Sequence, residues 1–297
     1  MLYIFLSVGF SVTVSVLLKL AKRYQIDVYQ AITWNYSAAI LLTWAIFRPR
    51  LSNLQDAPIV TYASLGILLP VLFLIIAAAI RLTGIVRTDA AQRLSLFIPV
   101  LAAFLVFGEQ ITTVKIIGLS IGFIALICLI PWKQNRAVRR RSTFSWFYLV
   151  IIFVGMGLID VLLKQVAKTK DIPFTTSLFI VFILAFGVSI IGMIYMIANK
   201  KMRFSWPHIF IGWVLGIANF GNILFYIKAH QALAKNPSIV FSSMNIGVII
   251  FGTLVGVIIF KEKLTLFNKI GLALAILAII VIYHPATFTH IFGINAF

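Results

Sequence analysis

The chain has 297 residues, of which 62% are hydrophobic and only 11% are charged, and its mean hydropathy is +1.09. Soluble domains are about 45–50% apolar and about 25% charged, so this composition excludes a water-soluble globular protein and a disordered chain. The excess of 25 basic over 7 acidic residues is typical of loops that orient membrane helices rather than of a nucleic-acid-binding surface. The sequence therefore predicts one polytopic, all-α membrane domain.

Ten apolar segments, separated by polar breaks, are each about as long as a helix that crosses a bilayer. In chain order they are Leu2–Leu20, Tyr29–Phe47, Ile59–Ile80, Asp89–Phe107, Val114–Ile130, Trp146–Gln165, Phe174–Ala198, Pro207–Ile227, Ser238–Phe260 and Leu266–Tyr283. Pro70 and Pro99 lie inside segments 3 and 4, where each removes a backbone donor and is expected to kink its helix. Pro237 suits the first turn of segment 9.

The longest polar connection, over residues 132–145, carries five basic residues and separates two halves that resemble each other. Residues 107–129 share eight identities with residues 260–282, and Val-Leu-Leu-Lys recurs at 16–19 and 161–164. We therefore predict a five-helix repeat over 1–131, the basic loop, a second repeat over 146–284 and a tail over 285–297. An odd number of helices per repeat forces the repeats into opposite orientations, as in many secondary transporters.

A Glu-x-x-Thr motif occurs once in each half, where segments 5 and 10 begin. Its residues are Glu109 and Thr112 in the first half and Glu262 and Thr265 in the second. A carboxylate at such a position meets the positive end of the helix dipole, and a threonine can cap free backbone donors. We favour this structural role over contact with a substrate.

The same motifs carry a family resemblance. Phe-Gly-Glu-Gln-Ile-Thr at 107–112 and Phe-Lys-Glu-Lys-Leu-Thr at 260–265, each followed by Ile-Gly, resemble the EamA-type repeats of the drug/metabolite transporter superfamily. The resemblance implies a ten-helix transporter of small organic solutes in a bacterial inner membrane, with a central cavity between the halves. Segment 1, ending in Lys19, also resembles the small multidrug resistance branch. Ser11 and Met156 stand where that branch has its membrane glutamate, which argues against proton/cationic-drug antiport.

Polar side chains inside apolar helices usually face the protein interior or a cavity. Helical spacing places Asn219, Asn222, Tyr226 and His230 on one side of segment 8, with His230 expected at the membrane interface. Ser238, Ser242 and Asn245 share one side of segment 9. The substrate-binding candidates are Trp34, Gln92, Arg93, Asn219, Asn222, Tyr226, Ser242 and Asn245. The alternative is helix packing joined by small and polar residues.

Two Gly-x-x-x-Gly motifs, Gly118 to Gly122 and Gly252 to Gly256, permit close helix contact. In a bundle of ten helices we interpret them as internal packing rather than as a dimerisation signal.

Two acid–base pairs, Asp89 with Arg93 and Asp160 with Lys164, are spaced i,i+4 and can meet along one helix face. Such a pair lowers the insertion cost of about 2.5–3.5 kcal/mol per central charge. The alternative is a salt bridge that a substrate or a proton opens, with Asp160 as the proton-coupling candidate. Bases outnumber acids in or near the segments, which favours a carboxylate- or phosphate-bearing solute, an amino acid in particular.

Lysine and arginine are unevenly distributed between the two faces of the predicted bundle. The connections after segments 1, 3, 5, 7 and 9 hold fourteen of them, and the opposite connections hold five. The positive-inside rule then places both termini outside the cytoplasm, whereas relatives of the EamA type usually have both termini inside.

Taken together, these features predict a secondary transporter, an exporter of small metabolites that works by alternating access. Multidrug or cationic-compound efflux and lipid-linked metabolite flipping are the alternatives within transport. The chain has no phosphate-binding loop, its four histidines are scattered without H-E-x-x-H, and no G-x-S-x-G occurs. An enzyme is therefore disfavoured. The remaining alternative to a transporter is a non-transporting membrane receptor. No cofactor or metal is expected. The expected partners are a small-molecule substrate and the bilayer, without nucleic acid.

Overall fold

Eleven helices occur in the part of the chain that the computed structural model describes, residues 2–24, 26–51, 57–83, 85–129, 145–169, 172–259, 261 and 264–283. They are α1 (Leu2–Arg23), α2 (Val28–Phe47), α3 (Ile59–Thr83), α4 (Ile85–Leu94), α5 (Phe97–Leu105), α6 (Thr113–Leu129), α7 (Ser145–Lys168), α8 (Phe174–Ala198), α9 (Pro207–Ala232), α10 (Pro237–Ile258) and α11 (Leu266–Tyr283). These residues contain no β-strand. Nearly all of the basic loop, the predicted tail and Glu262 lie outside the described residues.

Nine of the ten predicted segments each correspond to one helix, and segment 4 corresponds to two, α4 and α5. The break falls at Ser95 and Leu96, just before Pro99. Because Pro99 has no N–H for the carbonyl of Ser95, the amide of Ile98 donates to that oxygen instead, at 3.0 Å. The kink expected at Pro99 takes the form of a break between two helices, whereas α3 continues through Pro70 without a break. Pro237 is the first residue of α10, as its position predicted.

Seven helical stretches of the described chain are long and apolar enough to cross a membrane, judged by length and composition. They are Leu2–Leu20, Ile59–Ile80, Arg87–Leu105, Trp146–Lys168, Phe174–Ala198, Pro207–Ala232 and Pro237–Ile258. Two shorter apolar stretches, Thr113–Leu129 and Leu266–Ile282, lie in α6 and α11. In lipid a helix satisfies its backbone polar groups within one segment, so these helices define a membrane-integral protein.

Three polar side chains fix where helices begin. Asp27 precedes α2, and its carboxylate accepts hydrogen bonds from the backbone amides of Tyr29 and Gln30 at 2.9 and 3.2 Å. Thr112 precedes α6 and accepts from the amide of Lys115 at 3.4 Å, and Thr265 precedes α11 and accepts from the amide of Asn268 at 3.3 Å. The two threonines of the repeated motif thus cap their helices in the same way, which confirms the capping interpretation for them.

The chain forms two compact units, and each contains helices from both halves of the sequence. Unit 1 comprises Met1–Ile75 and Val161–Ala232, and unit 2 comprises Ile76–Asp160 and Leu233–Phe297. Of the three divisions along the chain, the first two fall inside α3 and α7, and the third follows the last residue of α9. The units are therefore different from the two sequence repeats, whose boundaries stay a prediction.

Unit 1 is built around α9, which packs against α1 and α2, while α2 also packs against α8. The approach of α9 to α2 depends on two glycines one turn apart. A Cβ on Gly212 would lie 2.8 Å from the carbonyl oxygen of Ala31, and one on Gly216 would lie 2.6 Å from that of Asn35. Because these contacts are to backbone, which cannot rotate away, a larger residue at either glycine would force the helices apart.

Unit 2 contains the antiparallel pair α6 and α11, with α10 packed against α5, α6 and α11. Gly118, near the start of α6, lies against Ile282 at the end of α11, and Gly271, near the start of α11, lies against Leu129 at the end of α6. The packing expected of the first Gly-x-x-x-Gly motif is confirmed, because Gly122 also contacts a side chain of α10. The second motif differs, since a Cβ on Gly252 would meet nothing within 4 Å.

Candidate functional site

A column of polar side chains follows one side of α9 at successive helical turns. Asn219 and Tyr226 are buried, with 8% and 5% exposure, and His230 is fully enclosed. Asn222 lies between them, one turn before Tyr226. Burial of Asn219, Tyr226 and His230 agrees with the side that spacing predicted, since polar residues inside membrane helices face the protein rather than lipid. Asn222 is partly exposed. His230, expected at the membrane interface because it is near the end of its segment, lies in the last turn of α9 and is completely enclosed by the protein.

The part of this column around Asn222 is hydrogen-bonded to α1. The hydroxyl of Ser7, which is fully buried, lies 2.9 Å from the side-chain oxygen of Asn222 and 2.8 Å from its backbone oxygen, and it donates to them. The neighbouring contact of α1 is aromatic, because the ring of Phe10 lies against Gly221. The partner of Ser7 on α9 is a long-range contact, which helical spacing cannot identify.

The part of the column at His230 contacts Lys164 of α7. This lysine has only 3% exposure, and its Nζ donates to the backbone oxygen of His230 at 3.3 Å. The imidazole of His230 packs perpendicular to the ring of Tyr226, with centroids 4.7 Å apart. A lysine and a histidine are thus buried together inside helices of membrane-spanning composition. Such residues commonly mark substrate or ion pathways.

Helix α2 contributes Trp34, whose ring packs beside Phe186 of α8 with centroids 6.3 Å apart. The indole nitrogen of Trp34, the side-chain oxygen of Asn35 and the hydroxyl of Tyr36 are enclosed and have no hydrogen-bond partner within the described part of the chain. Buried polar atoms of this kind are rare and require an explanation such as bound water or a ligand. Of the three, spacing and residue type had selected only Trp34.

The pair Asp89 and Arg93 forms on α4 as its spacing predicted, with Nε 2.6 Å from Oδ2. The two side chains keep 32% and 26% of their surface exposed. Gln92 donates locally to the backbone oxygen of Thr88 at 3.4 Å. The structure therefore holds these three candidates in local contacts of unit 2, and their role in binding stays a prediction.

Glu109 holds a different helix from the one the sequence predicted. Its fully enclosed carboxylate accepts hydrogen bonds from the backbone amide and the hydroxyl of Ser238, at 2.7 and 2.5 Å. The ammonium of Lys115 lies 2.8 Å from the same carboxylate and also donates to Asn236 at 3.0 Å. The expectation that Glu109 serves the start of its own helix was wrong, because the carboxylate reaches across to the first turn of α10. Its interaction with a helix N-terminus is nevertheless of the structural kind expected.

Two serines on α10 differ from several other hydroxyls of the described residues. The hydroxyls of Ser242 and Ser243 are enclosed without a hydrogen-bond partner among the described residues. Other hydroxyls donate to the carbonyl one turn earlier, namely those of Thr13, Ser15, Thr33, Thr43, Thr83 and Thr169. Asn245 is satisfied locally, because its amide nitrogen donates to the backbone oxygen of Phe241 at 3.0 Å. Ser242 is thus available to an additional polar group, and Ser243 is a site that sequence reasoning missed.

The structure brings some of the predicted residues together in unit 1, and others belong to unit 2. Asn222 and Tyr226 share one column with Lys164, and Trp34 belongs to the same unit. Asp160 lies on α7 one turn before Lys164 and is partly exposed. Two contacts had no signal in the sequence. These are the enclosure of Lys164 at α9 and the reach of Glu109 to α10, both of which join positions far apart in the chain.

The helices and their buried polar residues define a helical, membrane-integral protein. No family model matches the chain. The chain is 42% identical over 285 residues to a protein of Haemophilus influenzae (strain ATCC 51907 / DSM 11121 / KW20 / Rd) named "Uncharacterized protein", and the match covers 92% of this chain and 94% of that one. The chain belongs to the same family as that protein. Its fold is similar to that of a solved crystal structure with a TM-score of 0.73 and 15% sequence identity, over 96% of this chain and 97% of that one.

Proposed function

We propose that the protein is a secondary transporter of the EamA type, built from ten membrane-crossing helices in two inverted five-helix repeats. In this proposal α4 and α5 together form one crossing, and α6 and α11 complete the count despite their shorter apolar stretches. The protein exports small organic metabolites from the bacterial cytoplasm across the inner membrane. Alternating access between two inverted repeats supplies the mechanism.

The observation that carries the proposal is the reciprocal packing of α6 and α11 in unit 2. In the sequence repeat, position 118 corresponds to 271 and position 129 corresponds to 282. Gly118 contacts Ile282, and Gly271 contacts Leu129, so the second contact is the first with its repeat positions exchanged. Such an exchange is what a two-fold axis produces. Because the two helices are antiparallel, the axis runs across them, as in inverted rather than parallel repeats.

Unit 1 provides the same kind of support independently. The repeated Val-Leu-Leu-Lys, at 16 and 161, pairs position 29 with 174 and position 47 with 192. The hydroxyl of Tyr29 lies against Gly192 and donates to the backbone oxygen of Ser189 at 3.2 Å, at one end of the α2 and α8 pair. At the other end Phe47 packs on Phe174, with ring centroids 6.4 Å apart. Counterpart helices are again antiparallel with exchanged contacts.

The proposed solute is a small metabolite that carries a carboxylate, such as an amino acid. Support comes from the basic residues within or near the helices and from Lys164 of α7, which is buried against α9. The polar side chains of α9 and Trp34 of α2 are the proposed contacts of this solute in unit 1. Asp160 is proposed to couple transport to protons, so Asp160→Asn should abolish pH-driven flux while the variant still folds.

The first test is a thermal-shift screen of the detergent-purified protein, followed by counterflow in proteoliposomes. The panel contains amino acids, organic acids, sugar phosphates and cationic drugs, since a ligand that binds only the folded state raises stability by mass action. We expect hits among carboxylates, and labelled hits should accumulate in preloaded proteoliposomes but not in protein-free ones. Hits among cations alone would overturn the substrate class. A ligand that binds but never crosses would overturn transport and favour a receptor.

The orientation of the repeats has its own test. From the lysine and arginine distribution, a reporter that is active only in the cytoplasm should be silent when fused after Phe297. A matched fusion in the basic loop over 132–144 should be active. The opposite pattern would place both termini inside the cytoplasm, as in relatives of the EamA type.

A further inference from the structure

Three basic residues on the connection between α8 and α9 are exposed and close together in the chain. They are Lys200, Lys201 and Arg203, and Met202, which lies between the last two, is buried. Among the described residues, no acidic side chain forms an ion pair with any of the three. Their charges are therefore available to an anion outside the protein, such as the headgroup of a lipid.

The backbone of this connection is held in place from α2. The side chain of Gln30 is fully buried, and its Nε2 donates to the backbone oxygen of Arg203 at 2.7 Å. Its Oε1 accepts a hydrogen bond from the backbone amide of Ser205 at 3.0 Å. At the end of α8, the amide of Lys201 donates to the backbone oxygen of Met196 at 2.9 Å. A connection fixed in this way loses less conformational freedom when a ligand binds to it.

Exposed aromatic rings lie beside the three bases. Phe204 and Trp206 meet edge to face, with ring centroids 5.3 Å apart. Tyr195, in the last turn of α8, is also exposed, and the Nζ of Lys201 lies 6.0 Å from the centroid of its ring. Both α8 and α9 are long and apolar enough to cross a membrane, so the connection between them meets the bilayer surface. Tyrosine and tryptophan are enriched at that level.

An acidic residue, Asp27, is linked to this connection through Gln30. Its carboxylate accepts hydrogen bonds from two backbone amides in the first turn of α2, one of them that of Gln30 at 3.2 Å. This carboxylate therefore caps α2, and it forms no ion pair with a basic side chain of the described residues. Residues 199–206 themselves contain three basic residues and no acidic one. The surface of the connection is thus positively charged.

We propose that the connection between α8 and α9 binds the phosphate headgroup of an anionic phospholipid. The side chains of Lys200, Lys201 and Arg203 donate charge-assisted hydrogen bonds to the phosphate oxygens. Trp206 contacts the boundary between the headgroup and the acyl chains, and Gln30 is a positioning residue that holds the backbone beneath the bases. The lysine and arginine distribution assigns this connection to the cytoplasmic face, where the membrane surface carries anionic lipids.

The test uses the full-length protein, purified in detergent and depleted of lipid. The probes are dioleoylphosphatidylglycerol and dioleoylphosphatidylcholine, which have the same acyl chains and differ in net charge. Native mass spectrometry gives the dissociation constant of each lipid, and we expect the unaltered protein to bind phosphatidylglycerol more tightly. Each basic residue near an anionic surface contributes about fivefold in affinity. The triple variant Lys200→Gln, Lys201→Gln, Arg203→Gln should therefore bind phosphatidylglycerol about a hundredfold more weakly, with little change for phosphatidylcholine.

A second triple variant removes the same charge from other exposed positions of the protein. Its changes are Arg50→Gln, Lys168→Gln and Lys235→Gln, which lie on three different connections. This control should keep the preference for phosphatidylglycerol. Thermal unfolding in phosphatidylcholine verifies that both variants fold, as expected for exposed substitutions.

The role of Gln30 has its own variant. Gln30→Met keeps every charge and nearly the same side-chain length, but it removes both hydrogen bonds to the connection. We expect a smaller preference for phosphatidylglycerol over phosphatidylcholine in a variant that still unfolds cooperatively. An unchanged preference would overturn the positioning role, because a residue that only stabilises the fold affects both lipids equally.

Three results would overturn the lipid site. Equal affinities of the unaltered protein for the two lipids would show that the connection does not select an anionic headgroup. Equal losses in the two triple variants would show that net charge, and not this connection, attracts the lipid. Displacement of phosphatidylglycerol by inorganic phosphate or glycerol phosphate at the concentration of the lipid would identify a site for a soluble phosphate instead. None of these results depends on whether a solute crosses the membrane, so the lipid site and the transport proposal fail separately.

Discussion

Replacing Gly271 by alanine should destabilise the protein through the contact between α11 and α6. The new Cβ would lie 2.7 Å from Cγ of Leu129, 3.0 Å from Cβ of Cys128 and 3.1 Å from the carbonyl oxygen of Ala125. The carbonyl belongs to the backbone and cannot rotate away, so α6 itself must move. Overpacking of this kind typically costs about 1–3 kcal/mol.

The matched control is Gly252→Ala on α10, where a Cβ would meet nothing within 4 Å. Alanine is favoured over glycine inside a helix by up to about 1 kcal/mol, and both variants gain this term. The difference between them therefore isolates the clash, and we expect Gly271→Ala to be less stable by about 1–3 kcal/mol. Gly118→Ala should lie between them, because its closest neighbour is the side chain of Ile282.

The free energy of unfolding can be followed by circular dichroism during titration of detergent micelles with sodium dodecyl sulfate. Equal stability of the Gly271 and Gly252 variants would refute the packing argument. A double variant provides an internal check, because Leu129→Ala opens space at Gly271. The two changes should then be non-additive, with a coupling of about 0.5–3 kcal/mol.

Three further changes should affect stability by different amounts. Glu109→Gln should lower the unfolding free energy by about 2–3 kcal/mol, because it removes the charge from an enclosed carboxylate that accepts hydrogen bonds from the first turn of α10. A change below about 1 kcal/mol on the same titration would contradict that view. Asp27→Ala should cost about 0.5–2 kcal/mol through loss of the α2 cap, and Asp27→Asn, measured beside it, should recover most of the loss. Asp89→Asn should cost less than about 1 kcal/mol, because its pair with Arg93 is partly exposed, and a large loss of stability would identify a buried role instead.

Local features of the sequence were sufficient for much of the fold. Apolar runs predicted the helices, and Pro237 predicted the start of α10. Pro99 indicated a disturbance of its helix, which is the break between α4 and α5. These features act within a few residues of one another, so their effects can be worked out from one segment at a time. The same holds for Thr112, whose capping contact is made three residues further on.

The candidate site depended on contacts that no local pattern contains. Spacing placed Asn222 and Tyr226 on one side of α9, but it could not say that Ser7 and Lys164 would meet that side from two other helices. Glu109 was assigned to the nearest helix start because sequence proximity was the only guide. Its true partner, Ser238, lies more than a hundred residues away.

The composition of the two compact units has a consequence for how the protein is made. Unit 1 needs Val161–Ala232 in addition to Met1–Ile75, and unit 2 needs Leu233–Phe297 in addition to Ile76–Asp160. When the ribosome has synthesised α1 to α6, neither unit has all of its helices, so native packing must wait for the second half of the chain. A fragment over 1–131 made alone should be degraded by membrane proteases, and co-expression with a fragment over 132–297 should rescue it.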